Sequence, residues 1–260
     1  MTTRNRLKAA AAFGAVPEIL PYIPELLSGM WSLGIPPDII VELLKDLELK
    51  PKTARLLDLG CGKGANSITL ARHFGYQVHG VDLFEPFIEE ARKRAQELGV
   101  DDITRFETGD IKQAIRSLSD YDVVILVWVG GVLGDVGESI RRIRRLVPAG
   151  GYMVIGEGYL KDGVIEDDPF LERFDRYETL REKLTVHGDT LVREIIIPTE
   201  RINDFYRDYI RSLRKGARKC AGIHPEHAQA LWNYVNSNEQ MCRTMENTVE
   251  SGVWLLKKQG

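Results

Sequence analysis

The chain has 260 residues, of which 35 are lysine or arginine and 38 are aspartate or glutamate, giving a formal net charge of −3. This length suits one α/β domain with additional elements, and the nearly even charge argues against a nucleic-acid backbone or an anionic membrane as the main partner. Three widely spaced cysteines without a CxxC pair predict a reducing, cytoplasmic location and argue against a zinc or disulfide framework: Cys61, Cys220 and Cys242.

The N-terminal region is predicted to be helical. Its clearest helix covers residues 36–49, where apolar residues recur at helical spacing behind Pro37. We interpret residues 1–50 as a helical lid or flank and residues 51–260 as the main domain. The longest uncharged apolar run, 123–134, is shorter than the roughly 20 residues that cross a bilayer, so we expect no membrane span.

From residue 55 onward, short apolar runs alternate with amphipathic helices, a pattern typical of βαβ units and a parallel sheet. The helix after the second run is predicted to begin at Pro86 and to end at Gly99. The predicted strands are 55–59, 78–81, 104–108, 122–129 and 152–155. This alternation predicts an α/β, Rossmann-like, doubly wound sheet.

Beyond residue 159 the alternation fades. A helical stretch is predicted at 171–184 and a strand at 191–198. Two polar helices then form a C-terminal helical insertion at about 200–247, before a last apolar run at 253–256. We interpret this late region as an extension of the same domain.

Segment 56–65 carries Gly60, Gly62 and Gly64 between a strand and a helix, where glycines let the backbone approach a ligand closely. Asp82 ends the second strand 22 positions after Gly60. A carboxylate there can accept hydrogen bonds from both ribose hydroxyls. Together these features predict a site for a nucleoside-sized ligand.

The spacing Gly60-x-Gly62-x-x-Ala65 also satisfies the looser dinucleotide fingerprint, so a dehydrogenase is an alternative. Asp58 argues against it, because a carboxylate two residues before the first glycine faces a pyrophosphate unfavourably but suits the cationic amino group of a methionine moiety. An acidic residue, a spacer and Gly-x-Gly-x-Gly resemble the first motif of the class I S-adenosylmethionine-dependent methyltransferases.

The resemblance extends over residues 55–160, with its motifs in the family's order. Segment 81–83 is similar to the ribose-binding strand end, 109–111 to the adenine-binding segment, and 146–151 to the turn before the fifth strand. It implies a small-molecule methyltransferase that uses S-adenosyl-L-methionine and has a mostly parallel sheet with an antiparallel C-terminal edge strand. Lys63 departs from the commoner Ser or Thr, and the residues after strand four lack a familiar substrate signature.

The resemblance also implies roles for individual residues: Asp58 near the methionine amino group, Asp82 on the ribose, and Asp110 with the following residue on the adenine. The full implied cofactor set is Asp58, Gly60, Cys61, Gly62, Asp82, Leu83, Asp110, Ile111 and Val127. Cys61 itself is interpreted as a small loop filler, since no base partner is apparent. For each aspartate alone, a helix cap or a strand end is the alternative.

Methyl transfer by in-line displacement needs the acceptor lone pair aligned behind the sulfonium methyl group and needs no metal. An alcohol or phenol acceptor would also benefit from a general base. The catalytic residues stay unassigned, and the candidates for substrate contact are Glu157, Tyr159, Trp31, Tyr206 and Arg214.

Two other functions remain open. An RNA methyltransferase would contact phosphates through the basic stretches 141–145 and 211–219, although solvated helix faces explain these stretches as well. A non-catalytic protein that binds S-adenosylmethionine would keep every cofactor position. The sequence leaves the acceptor and the oligomeric state undetermined.

Overall fold

The computed structural model describes residues 3–165 and 169–260, with side chains from residue 7 onward. The chain forms two compact units. The first unit comprises Met1–Trp31 and Ile197–Glu250, and the second comprises Ser32–Ile196 and Ser251–Gly260. This division differs from the predicted boundary at residue 50, because the helix that follows Pro36 belongs to the second unit.

The second unit is built on a seven-stranded sheet. Its strands are β1 (Arg55–Leu59), β2 (Gln77–Asp82), β3 (Thr104–Thr108), β4 (Val123–Val127), β5 (Tyr152–Leu160), β6 (Thr190–Ile196) and β7 (Val249–Lys257). Their order is β3-β2-β1-β4-β5-β7-β6. The pairs from β3 to β5 are parallel, whereas β6 and β7 are antiparallel. The predicted Rossmann-like sheet with an antiparallel C-terminal edge is therefore confirmed.

β4 and β5 are among the strands that differ in length from their predictions. β4 ends at Val127, two residues earlier than predicted, because Trp128 has a left-handed backbone with φ of 55°. β5 continues to Leu160 instead of ending at Ile155. Its far edge is hydrogen-bonded to β7, so pairing continues past the end of β4.

The α-helices are α1 (Thr3–Ala12), α2 (Ile23–Leu26), α3 (Pro37–Leu44), α4 (Ala65–Phe74), α5 (Glu85–Glu97), α6 (Ile111–Ala114), α7 (Val136–Ile143), α8 (Tyr177–Thr185), α9 (Thr199–Ile223) and α10 (Ala228–Thr248). Glycines flank α4 at both ends: Gly64 and Gly75 have left-handed φ values of 74° and 69°. The helix predicted at 171–184 is divided into a 3₁₀ turn and α8, because Phe174 between them is extended.

A hydrophobic core of the second unit packs β1, β4, β5 and β7 against α7 and α8. At its centre, Trp254 on β7 is fully buried beside Leu180 and Leu184 of α8. The alternation of apolar residues on α7 places Ile140 and Ile143 in the same cluster. This core supports the strands whose carboxyl ends carry the glycine loop.

The first unit is helical, and its two long helices, α9 and α10, correspond to the predicted insertion at about 200–247. α9 crosses α2 at close range: a Cβ on Gly216 would lie 2.5 Å from the Cα of Leu26, and the Ser212 hydroxyl donates a 2.9 Å hydrogen bond to the Leu26 carbonyl. None of the helices in the described ranges combines the length and apolar character that a membrane crossing requires.

Candidate functional site

The order of the strands creates a crevice at the carboxyl end of β1. β2 and β3 lie on one side of β1, and β4 and β5 lie on the other. In open parallel sheets this switch point is where ligands bind. Three segments meet there: the glycine loop (residues 60–64), the end of β2 at Asp82, and residues 128–131 after β4.

The glycine loop is held against β2 and against the segment after β4. The backbone N–H groups of Gly60 and Cys61 both donate to the Val81 carbonyl, at 2.7 and 3.2 Å. Gly60 has φ of 78°, and a Cβ on it would lie 2.7 Å from Cγ2 of Val129. Only glycine fits this position, because any side chain would meet both backbone strain and Val129.

Cys61 fills space beneath the loop. Its Sγ would lie 2.8 Å from a Cβ on Gly80 of β2, and the residue is only 8% exposed. Burial, reinforced by the nearby carboxylates of Asp58 and Asp82, raises the pKa of the thiol well above its usual value. A protonated, enclosed thiol agrees with the interpretation of Cys61 as a filler.

Asp58 lies at the bottom of the crevice, on β1. It is 3% exposed, and the Ser67 hydroxyl on the first turn of α4 donates a 2.6 Å hydrogen bond to its Oδ2. Burial raises the pKa of Asp58 to about 6, with a smaller contribution from Asp82, while the Ser67 hydrogen bonds oppose the shift. A cation placed beside this carboxyl group would favour its ionised form.

Asp82 connects the end of β2 to the glycine loop. Its Oδ2 accepts a 2.9 Å hydrogen bond from the Gly62 N–H, and its Oδ1 accepts one of 2.8 Å from the Phe84 N–H. Burial raises the pKa of Asp82, and these backbone donors oppose that shift. A carboxylate oxygen can accept two hydrogen bonds, so one backbone donor on each leaves capacity for ribose hydroxyls.

The residues assigned to the adenine follow β3. Asp110 is the N-cap of α6, and its Oδ1 accepts a 2.9 Å hydrogen bond from the Lys112 N–H. Ile111 directs its side chain into the core, so contact with an adenine would fall to its backbone. Leu83 and Val127 are partly buried at the ends of β2 and β4.

The structure explains why position 63 holds a lysine instead of the Ser or Thr that is commoner in the family motif. Its side chain is buried, and Nζ lies 3.0 Å from the Glu90 carboxylate of α5 and 5.5 Å from the centre of the Phe87 ring. Burial lowers the pKa of Lys63, while Glu90 opposes that shift. Lys63 thus attaches the glycine loop to α5 instead of facing a substrate.

Trp128 follows β4 at the edge of the crevice and was not among the predicted site residues. Its backbone N–H donates to the Gly156 carbonyl at 3.1 Å, and its indole Nε1 is buried without an acceptor among the residues that the structure describes. A left-handed tryptophan has no signature in a single sequence. The following pair Gly130 and Gly131, both with positive φ, was the available signal of an unusual turn.

The predicted acceptor residues lie in different places. Glu157, at the carboxyl-end side of β5, accepts a 3.1 Å hydrogen bond from the Gly158 N–H, and burial raises its pKa. Tyr159 does not join the crevice: it is 5% exposed and packs in the core against Tyr177 and Trp254, with ring centres 5.1 and 6.3 Å away.

The other three acceptor candidates belong to the first unit. Tyr206 is buried on α9, and the exposed Arg214 pairs with Glu239 of α10 at 2.7 Å. Trp31 is partly buried at the end of the N-terminal segment. Their role in acceptor binding stays a prediction.

Comparisons with known proteins agree with this geometry. A family model described as "Methyltransferase domain" matches residues 50–197. The chain is 34% identical over 113 residues to the uncharacterized protein YjhP of Escherichia coli (strain K12), a match covering 44% of this chain and 45% of that protein. It is 32% identical over 103 residues to the 27-O-demethylrifamycin SV methyltransferase of Amycolatopsis mediterranei (strain S699), covering 40% and 38%. These two matches span less than half the length of either relative.

A solved structure with the same fold is the SAM-dependent methyltransferase from Geobacter sulfurreducens in complex with S-adenosyl-L-homocysteine. It superposes with a TM-score of 0.80 at 23% sequence identity, covering 94% of this chain and 99% of that one. At this identity the similarity establishes the shared fold.

Proposed function

The chain belongs to the family of methyltransferase domains, and from that premise we propose that it transfers the methyl group of S-adenosyl-L-methionine to a small organic acceptor. The hydrogen bond from the Gly62 N–H to Asp82 carries the proposal. It joins the glycine loop to Asp82, the acid that we propose binds the ribose, and Asp58 precedes the same loop on β1. The sequence motifs therefore meet at one site.

The residues of the crevice fit this cofactor. Gly60 and Gly62 present backbone without side chains, Asp82 has acceptor capacity for two hydroxyls, and Asp58 supplies a negative charge for an ammonium group. When bound, S-adenosylmethionine supplies a methyl group that its sulfonium already activates. A pyrophosphate would bind at the open N-terminus of the helix that follows the glycine loop, which is α4. The Asp58 carboxylate is hydrogen-bonded to Ser67 in the first turn of α4, and its negative charge argues against a pyrophosphate there.

The protein's task is then to orient the acceptor and exclude water. For a hydroxyl acceptor, we assign proton removal to Glu157. Burial raises the pKa of Glu157, and Arg173 opposes that shift. A carboxylate with a raised pKa is a better base than an exposed one. As the oxygen–methyl bond forms, the carbon–sulfur bond breaks with its electron pair left on sulfur, and the hydroxyl proton passes to Glu157.

We favour a small acceptor over RNA because aspartate and glutamate side chains already form ion pairs with basic residues in the stretches 141–145 and 211–219. Arg141 and Arg142 both pair with Glu138, at 2.5 and 2.6 Å, and Arg144 pairs with Asp189 at 3.0 Å. In the second stretch the pairs are Arg211 with Asp208, Arg214 with Glu239, and Lys219 with Glu25. A phosphate backbone would have to compete with these carboxylates. The name of the Amycolatopsis relative, which specifies a small acceptor, supports the same choice.

We also propose a cytoplasmic location, which the three free, buried cysteines support. A decisive test of function has two arms. Thermal denaturation with S-adenosylhomocysteine, NAD or NADP should show stabilisation by the first alone, by about 2.7 kcal/mol at a free concentration 100-fold above its dissociation constant. Incubation with isotopically labelled S-adenosylmethionine and a metabolite extract should label a small molecule. Stabilisation without any labelled product would favour a non-catalytic binding protein.

A further inference from the structure

Three side chains near the carboxyl ends of β4 and β5 lie outside the predicted cofactor-binding set: Trp128, Glu157 and Arg173. The Trp128 N–H is bonded to Gly156, the residue before Glu157. Arg173 Nη2 would lie 3.2 Å from a Cβ on Gly130, two residues after Trp128. Burial raises the pKa of Glu157, and the charge of Arg173 is one of the influences that oppose this rise. These residues therefore cluster beside the glycine loop, which Val129 touches at Gly60.

Trp128 has two unusual properties in this cluster. Its left-handed backbone is rare for a bulky residue, and such conformations concentrate at ligand sites. Its indole N–H is buried and finds no acceptor within residues 3–165 and 169–260, whereas most buried donors are paired. The backbone at Gly34 packs closely against the Trp128 side chain, because a Cβ on Gly34 would lie 3.4 Å from Trp128 Cβ. The geometry leaves a hydrogen-bond donor for an oxygen atom of a ligand.

Arg173 is exposed and supplies a positive charge beside two aromatic rings. Its guanidinium lies 5.3 and 5.2 Å from the ring centres of Phe170 and Phe174. Aromatic rings orient a guanidinium without neutralising it. Among the described residues no carboxylate lies within ion-pair distance of Arg173, although Arg144 and Arg214 have such partners. A guanidinium of this kind binds carboxylates through two parallel hydrogen bonds.

We propose that the methyl acceptor is an organic acid whose carboxylate is bound by Arg173 and by the indole N–H of Trp128. This inference rests on the proposed methyl transfer, and it makes Arg173 and Trp128 the residues that determine acceptor specificity.

The test uses the full chain labelled with ¹⁵N and loaded with S-adenosylhomocysteine. Calorimetry first measures S-adenosylhomocysteine binding, whose failure would contradict the proposed function itself. Benzoate and salicylate are then titrated against the amides benzamide and salicylamide, while the indole N–H resonances are recorded. Trp128→Phe identifies the resonance of Trp128.

We expect the acids to shift the Trp128 resonance and to bind about tenfold more tightly than the amides, as a charge-assisted pair predicts. Arg173→Gln should remove this preference and leave S-adenosylhomocysteine affinity unchanged. Arg181→Gln is the matched control, because Arg181 also stacks on an aromatic ring, 5.8 Å from the centre of Tyr177. Equal binding of acids and amides, no shift of the Trp128 resonance, or an unaltered preference in Arg173→Gln would overturn the proposal.

Discussion

Asp82 and Gly62 are joined by a 2.9 Å hydrogen bond from the backbone N–H of the glycine to the carboxylate. The acid that is expected to bind the ribose therefore also fixes the conformation of the loop that approaches the rest of the ligand. Removing the carboxylate altogether would leave the N–H groups of Gly62 and Phe84 without their acceptors. A substitution that keeps the side chain's shape is the more informative one.

Asp82→Asn is expected to weaken S-adenosylhomocysteine binding by roughly 10- to 150-fold, because a charge-assisted hydrogen bond contributes about 1.5–3 kcal/mol. Isothermal calorimetry measures this directly. Asp122→Asn is the control, since Asp122 likewise accepts a backbone hydrogen bond, from Arg55 at 2.8 Å, but precedes β4 at the opposite edge of the sheet. Equal affinities for Asp82→Asn and the unmodified chain would contradict the ribose role.

Asp58 is expected to make stability depend on pH. Its pKa is about 6 in the folded chain, above its unfolded value of roughly 3.9, so the folded state binds the proton more tightly. This contribution is fully present below pH 4 and is lost as pH rises through 6. Denaturant titrations should show Asp58→Asn gaining roughly 2 kcal/mol relative to the unmodified chain between pH 4 and 7. A constant difference across that range would contradict the raised pKa.

The same carboxyl group should couple cofactor binding to proton release. The ammonium group of the ligand favours ionised Asp58, so affinity for S-adenosylhomocysteine should rise from pH 5 to pH 7. Calorimetry in two buffers with different ionisation enthalpies would detect the released proton. In Asp58→Asn the pH dependence should disappear, and its persistence there would assign the proton to another group.

Gly60→Ala is expected to destabilise the chain more than Gly99→Ala. Both glycines have positive φ, which costs an alanine about 1–2 kcal/mol. A Cβ on Gly99 meets nothing within 4 Å, whereas one on Gly60 meets Val129 at 2.7 Å, which adds roughly 1–3 kcal/mol. Thermal denaturation should rank the two variants in this order. Val129→Ala should recover part of the loss in the Gly60→Ala background but none in Gly99→Ala.

Two glycines on α9 should respond in opposite directions to alanine. Gly222→Ala is expected to stabilise the chain by about 0.5–1 kcal/mol through helix propensity, because a Cβ there meets nothing within 4 Å. Gly216→Ala should destabilise it, since the same atom would lie 2.5 Å from backbone of Leu26. Chemical denaturation tests both, and equal effects would show that α2 and α9 are not packed as described.

Much of the fold was predictable because its signals are local. The apolar runs and the helix-ending glycines predicted the five strands from β1 to β5, and the motif order predicted the family. The end of β4 was not predictable, because it depends on the backbone of Trp128, which carries no left-handed propensity. Tyr159 was misplaced because its position after the fifth predicted strand suggested a loop, whereas hydrogen bonding to β7 extends β5 and keeps the ring in the core.

The antiparallel register places Ile196 opposite Gly252. The chain therefore leaves the sheet for the helices of Ile197–Glu250 and returns to it at neighbouring backbone positions. Whatever length or sequence lies between these positions, β6 and β7 can keep their pairing. Such a hairpin base lets the intervening segment change while the pairing of β6 with β7, and with it the crevice at β1, stays as it is.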